Sequence, residues 1–371
     1  MSDEHEFSTR RGLSRRTLLQ SGAGAMLLNR VGASRAQDRS LVAVTPGVAM
    51  PDPAKALLER KTGIRIEQIP YVSPTDSVAK LFAPGGTSRF DFMITNMYFV
   101  QVPLMGAKSG DERMRPFDMS KMTNVGDMID LFKTQMQGQM RDGKTFMVPV
   151  YWGYDTAIFR TDKIPEDDPA TKSWAILYDD RYAGRVALRD DAYQCIMTAA
   201  LALGHKEPTT MPLSDLNEVK KFLISKKKNF RALWTKFGEA VNLISSGEVA
   251  LMYGWMPMRA ALLREGIPVA SARPKEGLLF WTHAAFIPKD SSKAALAMEV
   301  ANTMLSEEYS VALTNASNYG PISSKAMASY SPADQKRLGL DVTDGKTALL
   351  PEFWPDEMSA WIEAWAAFKS A

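Results

Sequence analysis

Short apolar runs of five or six residues alternate along this chain with longer stretches that read as helices and stop at a glycine. Ser40-Leu41-Val42-Ala43-Val44 reads as a buried strand, residues 53–61 as a helix ending at Gly63, and residues 64–69 as the next strand. The pattern returns with strands over 90–94 and 185–188, a helix over 192–203 ending at Gly204, and a strand over 249–253. Such alternation predicts an α/β fold with parallel sheets covered on both faces. In open sheets of that kind ligands bind beyond the carboxyl ends of the strands, so the residues that follow each strand are the ones to inspect.

Ahead of the first strand lies Ser14-Arg15-Arg16-Thr17-Leu18-Leu19-Gln20, then a mildly apolar stretch, then Ser34-Arg35-Ala36. That order predicts a twin-arginine signal peptide over residues 1–36, cleaved after Ala36, and a mature protein in the periplasm. No other stretch approaches the roughly 18 uninterrupted apolar residues needed to cross a bilayer, so the mature chain is expected to be soluble. The leader holds six Arg against three acidic residues and so carries the whole formal charge of +3. The near-neutral remainder offers no clustered excess of Lys and Arg for nucleic acid or an anionic membrane, and Lys226-Lys227-Lys228 reads as a solvated loop. About 335 residues remain, which suits two lobes of ordinary size. The single Cys195 cannot form an internal disulfide.

Signatures of catalysis are weak. Gly138-Gln139-Met140-Arg141-Asp142-Gly143-Lys144-Thr145 fits the phosphate-loop pattern, which needs a strand before it and a helix after it. Here residues 128–136 read as helix and 145–151 as strand, so Asp142-Gly143 is better explained as a turn. His205, His283 and Cys195 are not at ligand spacing for a metal, and the pattern GxSxG of a nucleophile elbow is missing. No catalytic residue, metal or cofactor is therefore expected. An exported oxidoreductase is the competing class, although neither a GxGxxG motif nor a cysteine cluster supports it.

The positive case rests on pieces spread along the chain: Lys61-Thr62-Gly63-Ile64, Phe90-Asp91, Pro149-Val150-Tyr151-Trp152-Gly153, Ser173-Trp174-Ala175-Ile176-Leu177, Gly184-Arg185-Val186 with Asp190-Asp191-Ala192, and Ala200-Leu201-Ala202-Leu203-Gly204. They continue with Ser246-Gly247-Glu248-Val249-Ala250, Gly254-Trp255, Pro274-Lys275-Glu276-Gly277, Phe280-Trp281 and Tyr319-Gly320-Pro321-Ile322. In this order they resemble the periplasmic spermidine/putrescine-binding proteins. The resemblance implies a two-lobed periplasmic binding protein fold with a ligand cleft between the lobes. Lobe one would comprise residues 38–152 and 282–328, and lobe two 153–281 and 329–371, with crossings near Trp152 and Trp281. It also implies a monomer that hands a small-molecule ligand to an ABC transporter permease. The ligand contacts it implies are Asn96, Tyr98, Trp152, Asp191, Gln194, Trp255, Trp281, His283 and Tyr319. Trp255 and Trp281 each follow an apolar run, where a ring could wall a cleft for a methylene chain or a cation, or simply fill a core. Asp191 also suits an N-cap of the helix after it.

The departures from the family bear on the ligand. Pro46-Gly47-Val48-Ala49 supplies neither the ring nor the side-chain hydrogen bonds that many relatives have after the first strand. Gln194, His283 and Met258 stand where relatives carry acidic groups. With Asp191 as the one surviving carboxylate, the expectation is weak binding of spermidine and putrescine and a ligand with at most one cationic group. His283 is the expected partner of a second, neutral polar or carboxylate end, unless it is merely hydrogen-bonded within its lobe.

Overall fold

The structure is a computed structural model that describes residues 39–71 and 73–371. The expected leader, residues 1–36, lies outside the described residues.

Eight strands form the main path of a sheet that has twelve strands among the described residues: β1 (Ser40–Thr45), β2 (Arg65–Pro70), β3 (Phe92–Asn96), β4 (Val148–Arg160), β5 (Val186–Arg189), β6 (Phe230–Trp234), β7 (Leu251–Trp255) and β8 (Leu278–Pro288). Their spatial order is β2-β1-β3-β8-β4-β7-β5-β6. The outer strands pair in parallel, β1 with β2 and β3, and β5 with β7 and β6. The central β4 and β8 run antiparallel to each other and to their outer neighbours. Each of these two long strands changes company along its length. Thr282–Ala285 of β8 pair with Trp152–Val148 of β4, while Asp155–Phe159 of β4 pair with β7. His283–Phe286 of β8 face β3, whereas Leu278–Phe280 face the short strand Leu349–Pro351. Two α/β lobes therefore share one continuous pair of strands.

Local signals explain where the helices begin and end. Helix α1 (Asp52–Thr62) starts with an acidic residue and a proline in its first turn, and ends with Arg60 and Lys61 before Gly63 at φ 65°. Helix α2 (Met97–Met105) is capped by Asn96, whose side chain accepts from the Phe99 amide at 3.3 Å. Helix α3 (Ala192–Leu203) begins at Asp191, which accepts from the Tyr193 amide at 3.0 Å, and stops at Gly204 at φ 93°. The C-terminal helix α4 (Met358–Ser370) packs on α3. Among the described residues no helix is long and apolar enough to cross a membrane.

The turn expected at Asp142-Gly143 is the tip of a β-hairpin, in which Met140–Arg141 pair with Lys144–Thr145 around Asp142 (φ 51°) and Gly143 (φ 69°). Two differences from the sequence reading stand out. Strands expected at 90–94 and 249–253 begin two residues later, which makes Asn96 and Trp255 the last residues of β3 and β7. Trp281 lies inside β8 and not after a strand.

Candidate functional site

A cavity of about 550 Å³ opens where the carboxyl ends of the parallel strands of both lobes face each other. Pro46 follows β1, Tyr71 follows β2 and Asn96 ends β3; Arg189 ends β5 and Trp255 ends β7. The shared strands add Tyr151 and Asp155 from β4 and Trp281 and His283 from β8. Tyr319 and Glu352 complete the wall from the later chain.

One side of the cavity is aromatic. Trp281 lies edge-on to Tyr151, with centroids 6.0 Å apart at 87°, and 5.2 Å from Tyr319. Its indole occupies the space above Gly153, where an added Cβ would fall 2.5 Å from the ring, so the glycine is needed for this close approach. Tyr151 shares a 2.7 Å hydrogen bond with His283 Nδ1, and Tyr71 stacks on the imidazole at 6.5 Å. Burial lowers the His283 pKa to about 3, so the ring is neutral at any physiological pH. It therefore offers a ligand hydrogen bonding and not charge.

Charge is concentrated among these rings. The Asp155 carboxylate accepts from Trp281 Nε1 at 2.9 Å and from the Tyr253 hydroxyl. Burial nevertheless raises its pKa to about 6, against the lowering effect of those two donors and of Arg189. Glu352, only 4% exposed, accepts from Asn96 Nδ2 at 2.9 Å through Oε2, while its Oε1 has no hydrogen-bond partner. Burial first, and the Asp155 charge second, push the Glu352 carboxyl well above its ordinary range. Burial thus holds both carboxyls above their ordinary range. Gln194 Oε1 and the Tyr193 hydroxyl, on the same wall, also lack hydrogen-bond partners.

Of the residues expected at the ligand, the structure brings Asn96, Asp191, Gln194, Trp255, Trp281, His283 and Tyr319 to this cavity. It places Trp152 and Tyr98 elsewhere. Trp152 is wholly buried, donates to the Pro321 carbonyl at 2.9 Å and packs against both Phe132 and Phe280, which also stack on each other. It sits next to Tyr151 on β4, and alternation turns it to the opposite face of the sheet. Tyr98 lies in α2 with its ring edge-on to Phe353 at 5.2 Å. Met258 is fully buried and does not line the cavity, so its loss of an acidic group does not change the cavity's charge. The expectation of a single carboxylate is corrected outright, because Asp155 and Glu352 join Asp191 there.

The missed groups had signals. Asp155 is the one acidic residue inside the thirteen-residue run Val148–Arg160, and a charge in a strand buried on both faces needs a reason. Arg189 and Glu352 both sit at or just after strand ends, where the rule for open sheets directs attention.

Trp255 and Trp152 make the distinction between wall and core measurable. Trp255 is partly exposed, edge-on to Trp234 at 5.2 Å and beneath the Arg189 guanidinium at 4.9 Å. Its replacement by Ala is expected to weaken ligand binding by about tenfold, the worth of one aromatic contact to a polar or charged group. Chemical unfolding should register a loss of only about 1 kcal/mol, well below the value for a buried tryptophan. A large loss of stability with unchanged affinity would make Trp255 a core residue.

Two α/β lobes joined by a pair of long strands, with a cavity at the strand ends of both, define a two-lobed binding protein. The chain belongs to the bacterial extracellular solute-binding proteins, whose family model matches residues 54–338. It is 27% identical over 252 residues to the spermidine/putrescine-binding periplasmic protein of Escherichia coli K12, which covers 66% of this chain and 67% of that one. Its fold is similar to that of a putative spermidine/putrescine ABC transporter protein from Listeria monocytogenes, with a TM-score of 0.72 at 18% identity over 89% of this chain and 99% of the other. It is similar also to the Atu4243-GABA receptor, with a TM-score of 0.69 at 20% identity over 89% and 97% of the two chains. Family and relatives favour solute binding over the oxidoreductase alternative.

Proposed function

We propose that this protein is the periplasmic receptor of an ABC importer and captures a small, amine-bearing polar solute in the cavity between its lobes. The observation that carries the reading is the pair of buried carboxyls, Asp155 and Glu352, set in an aromatic wall of Trp281, Tyr151 and Tyr319. A desolvated carboxylate is costly unless a cation answers it, and ring faces favour that same cation. The names of the relatives, which include binding proteins for spermidine and putrescine and a receptor for GABA, agree with an amine. Seven of the residues expected from sequence, Asn96, Asp191, Gln194, Trp255, Trp281, His283 and Tyr319, are proposed as ligand contacts, joined by Asp155 and Glu352.

In this reading the lobes divide as residues 38–152 with 282–328, and 153–281 with 329–371. The change of strand partners along β4 and β8 supports crossings near Trp152 and Trp281. The twin-arginine leader carries the chain to the periplasm, where it acts as a monomer, without catalysis, and its closed form docks on the membrane permease. Native mass spectrometry of the purified protein tests the capture of a solute by its retained mass. Small-angle scattering tests the hinge, with a smaller radius of gyration expected at ligand saturation. An unchanged scattering profile at saturation would rule out closure of the lobes.

A further inference from the structure

The charges that line the cavity are of both signs. Asp155 and Glu352 are buried in the wall, and Glu352 Oε1 has no hydrogen-bond partner. Arg189 stands at the carboxyl end of β5, with its guanidinium 4.9 Å from the centroid of the Trp255 ring. Its ion-pair neighbour Asp191 is 3.8 Å away, beyond hydrogen-bond distance, and Asp191 already accepts from the Tyr193 amide at the cap of α3. Arg264 also lines the cavity. Three carboxyls therefore face two guanidiniums across the cavity. Such a wall is close to neutral. A ligand with two or three ammonium groups would leave a net positive charge in a closed cleft and would meet an arginine there. A planar guanidinium with its N–H fork unfilled matches a carboxylate, which it can hold through two parallel hydrogen bonds.

Given the reading of this cavity as a solute cleft, we infer that the ligand is a zwitterion whose single ammonium meets Glu352 and Asp155 and whose carboxylate is held by Arg189 above the Trp255 ring. The aliphatic part between the two ends lies along Trp281 and Tyr151, whose faces offer apolar area without competing charge. The second end of the ligand thus belongs to Arg189. His283, held neutral by burial and engaged with Tyr151, orients the aromatic wall.

Isothermal titration of the dialysed protein with a fixed panel tests the assignment. The panel comprises glycine, leucine, 4-aminobutanoate, 6-aminohexanoate, butylamine, putrescine and spermidine. At least one aminocarboxylate is expected to bind at least 100-fold more tightly than butylamine, putrescine and spermidine. In R189Q that preference over butylamine should shrink to less than about fivefold, and in R189K it should be intermediate, because the charge remains without the planar fork. Melting curves show whether each variant is folded, and the Lys variant keeps the test open if the Gln variant is not. Tighter binding of putrescine or spermidine than of every aminocarboxylate, or an undiminished preference in folded Arg189 variants, overturns the zwitterion while leaving amine capture intact. No binding by any member of the panel overturns both.

Discussion

Asp155→Asn is expected to lower the affinity for an ammonium-bearing ligand by about 100-fold and to remove most of the pH dependence of binding between pH 5 and 7. A buried charge pair that loses one partner costs about 2–5 kcal/mol, and 100-fold is near the lower end of that range. In the free protein the Asp155 pKa is raised to about 6 by burial, so its ionised form is disfavoured in the folded state. The penalty is fully present above pH 6, is relieved as pH falls from 6 towards the ordinary carboxyl range, and is absent below it. It amounts to about 2–3 kcal/mol at most, so the wild-type melting temperature should rise on going from pH 7 to pH 5 relative to the variant. An ammonium acts in the opposite sense, because it favours the carboxylate and lowers this pKa. Affinity should therefore be lost as pH drops through about 6, with proton release on binding near that pH, measurable by calorimetry in buffers of different ionisation enthalpy. Glu352 and Asp191 line the same cavity, as do Arg189 and Tyr151, and the Tyr253 hydroxyl donates to Asp155 from behind it. His283 does not titrate in this window, since burial holds its pKa near 3, and burial raises both tyrosines above their usual range. A pH profile that survives in the Asn variant would assign the proton to Glu352 instead.

The strand and helix alternation was legible because it is local. The helix over Ala192–Leu203 is bounded by an Asp cap and a Gly stop that act within one turn, and both can be read directly. The strand ends are set by where the sheet pairs, which no local residue announces, and there the reading slipped by two positions at Asn96 and Trp255. The site was legible where it follows strand ends and where the family pattern marked it, as at Asp191 and Trp255. It was illegible where the two lobes meet. Glu352 reaches Asn96 across 256 residues of sequence, and Asp155 meets Trp281 across 126. Counting acidic groups only at family positions therefore missed two of the three carboxyls in the cavity. A further error came from treating all motif tryptophans alike. Neighbours on a strand face opposite ways, so Tyr151 lines the cavity while Trp152 fills the core.

That core role leads to the largest stability effect expected in the molecule. Trp152 is wholly buried, and Gly320 pairs with it in register, its Cα lying so close that an added Cβ would fall 2.0 Å from the indole. Trp152→Ala removes the stack with Phe132 and Phe280 and strands the Pro321 carbonyl that accepted from the indole. A loss of about 3–5 kcal/mol is expected, a large share of the stability of an ordinary domain. Gly320→Ala forces the ring to move and should cost about 1–3 kcal/mol or more. The three atoms nearest to the added Cβ all belong to Trp152, so the clash disappears once the indole is gone. The double variant should then be more stable than the sum of the two single losses implies, by at least about 1 kcal/mol. Urea unfolding of the four proteins measures this coupling. Simple additivity would mean that Gly320 is required for some reason other than the indole. A positive coupling would show that Gly320 makes room for the Trp152 indole in the core, the service that Gly153 performs for Trp281 at the cavity wall.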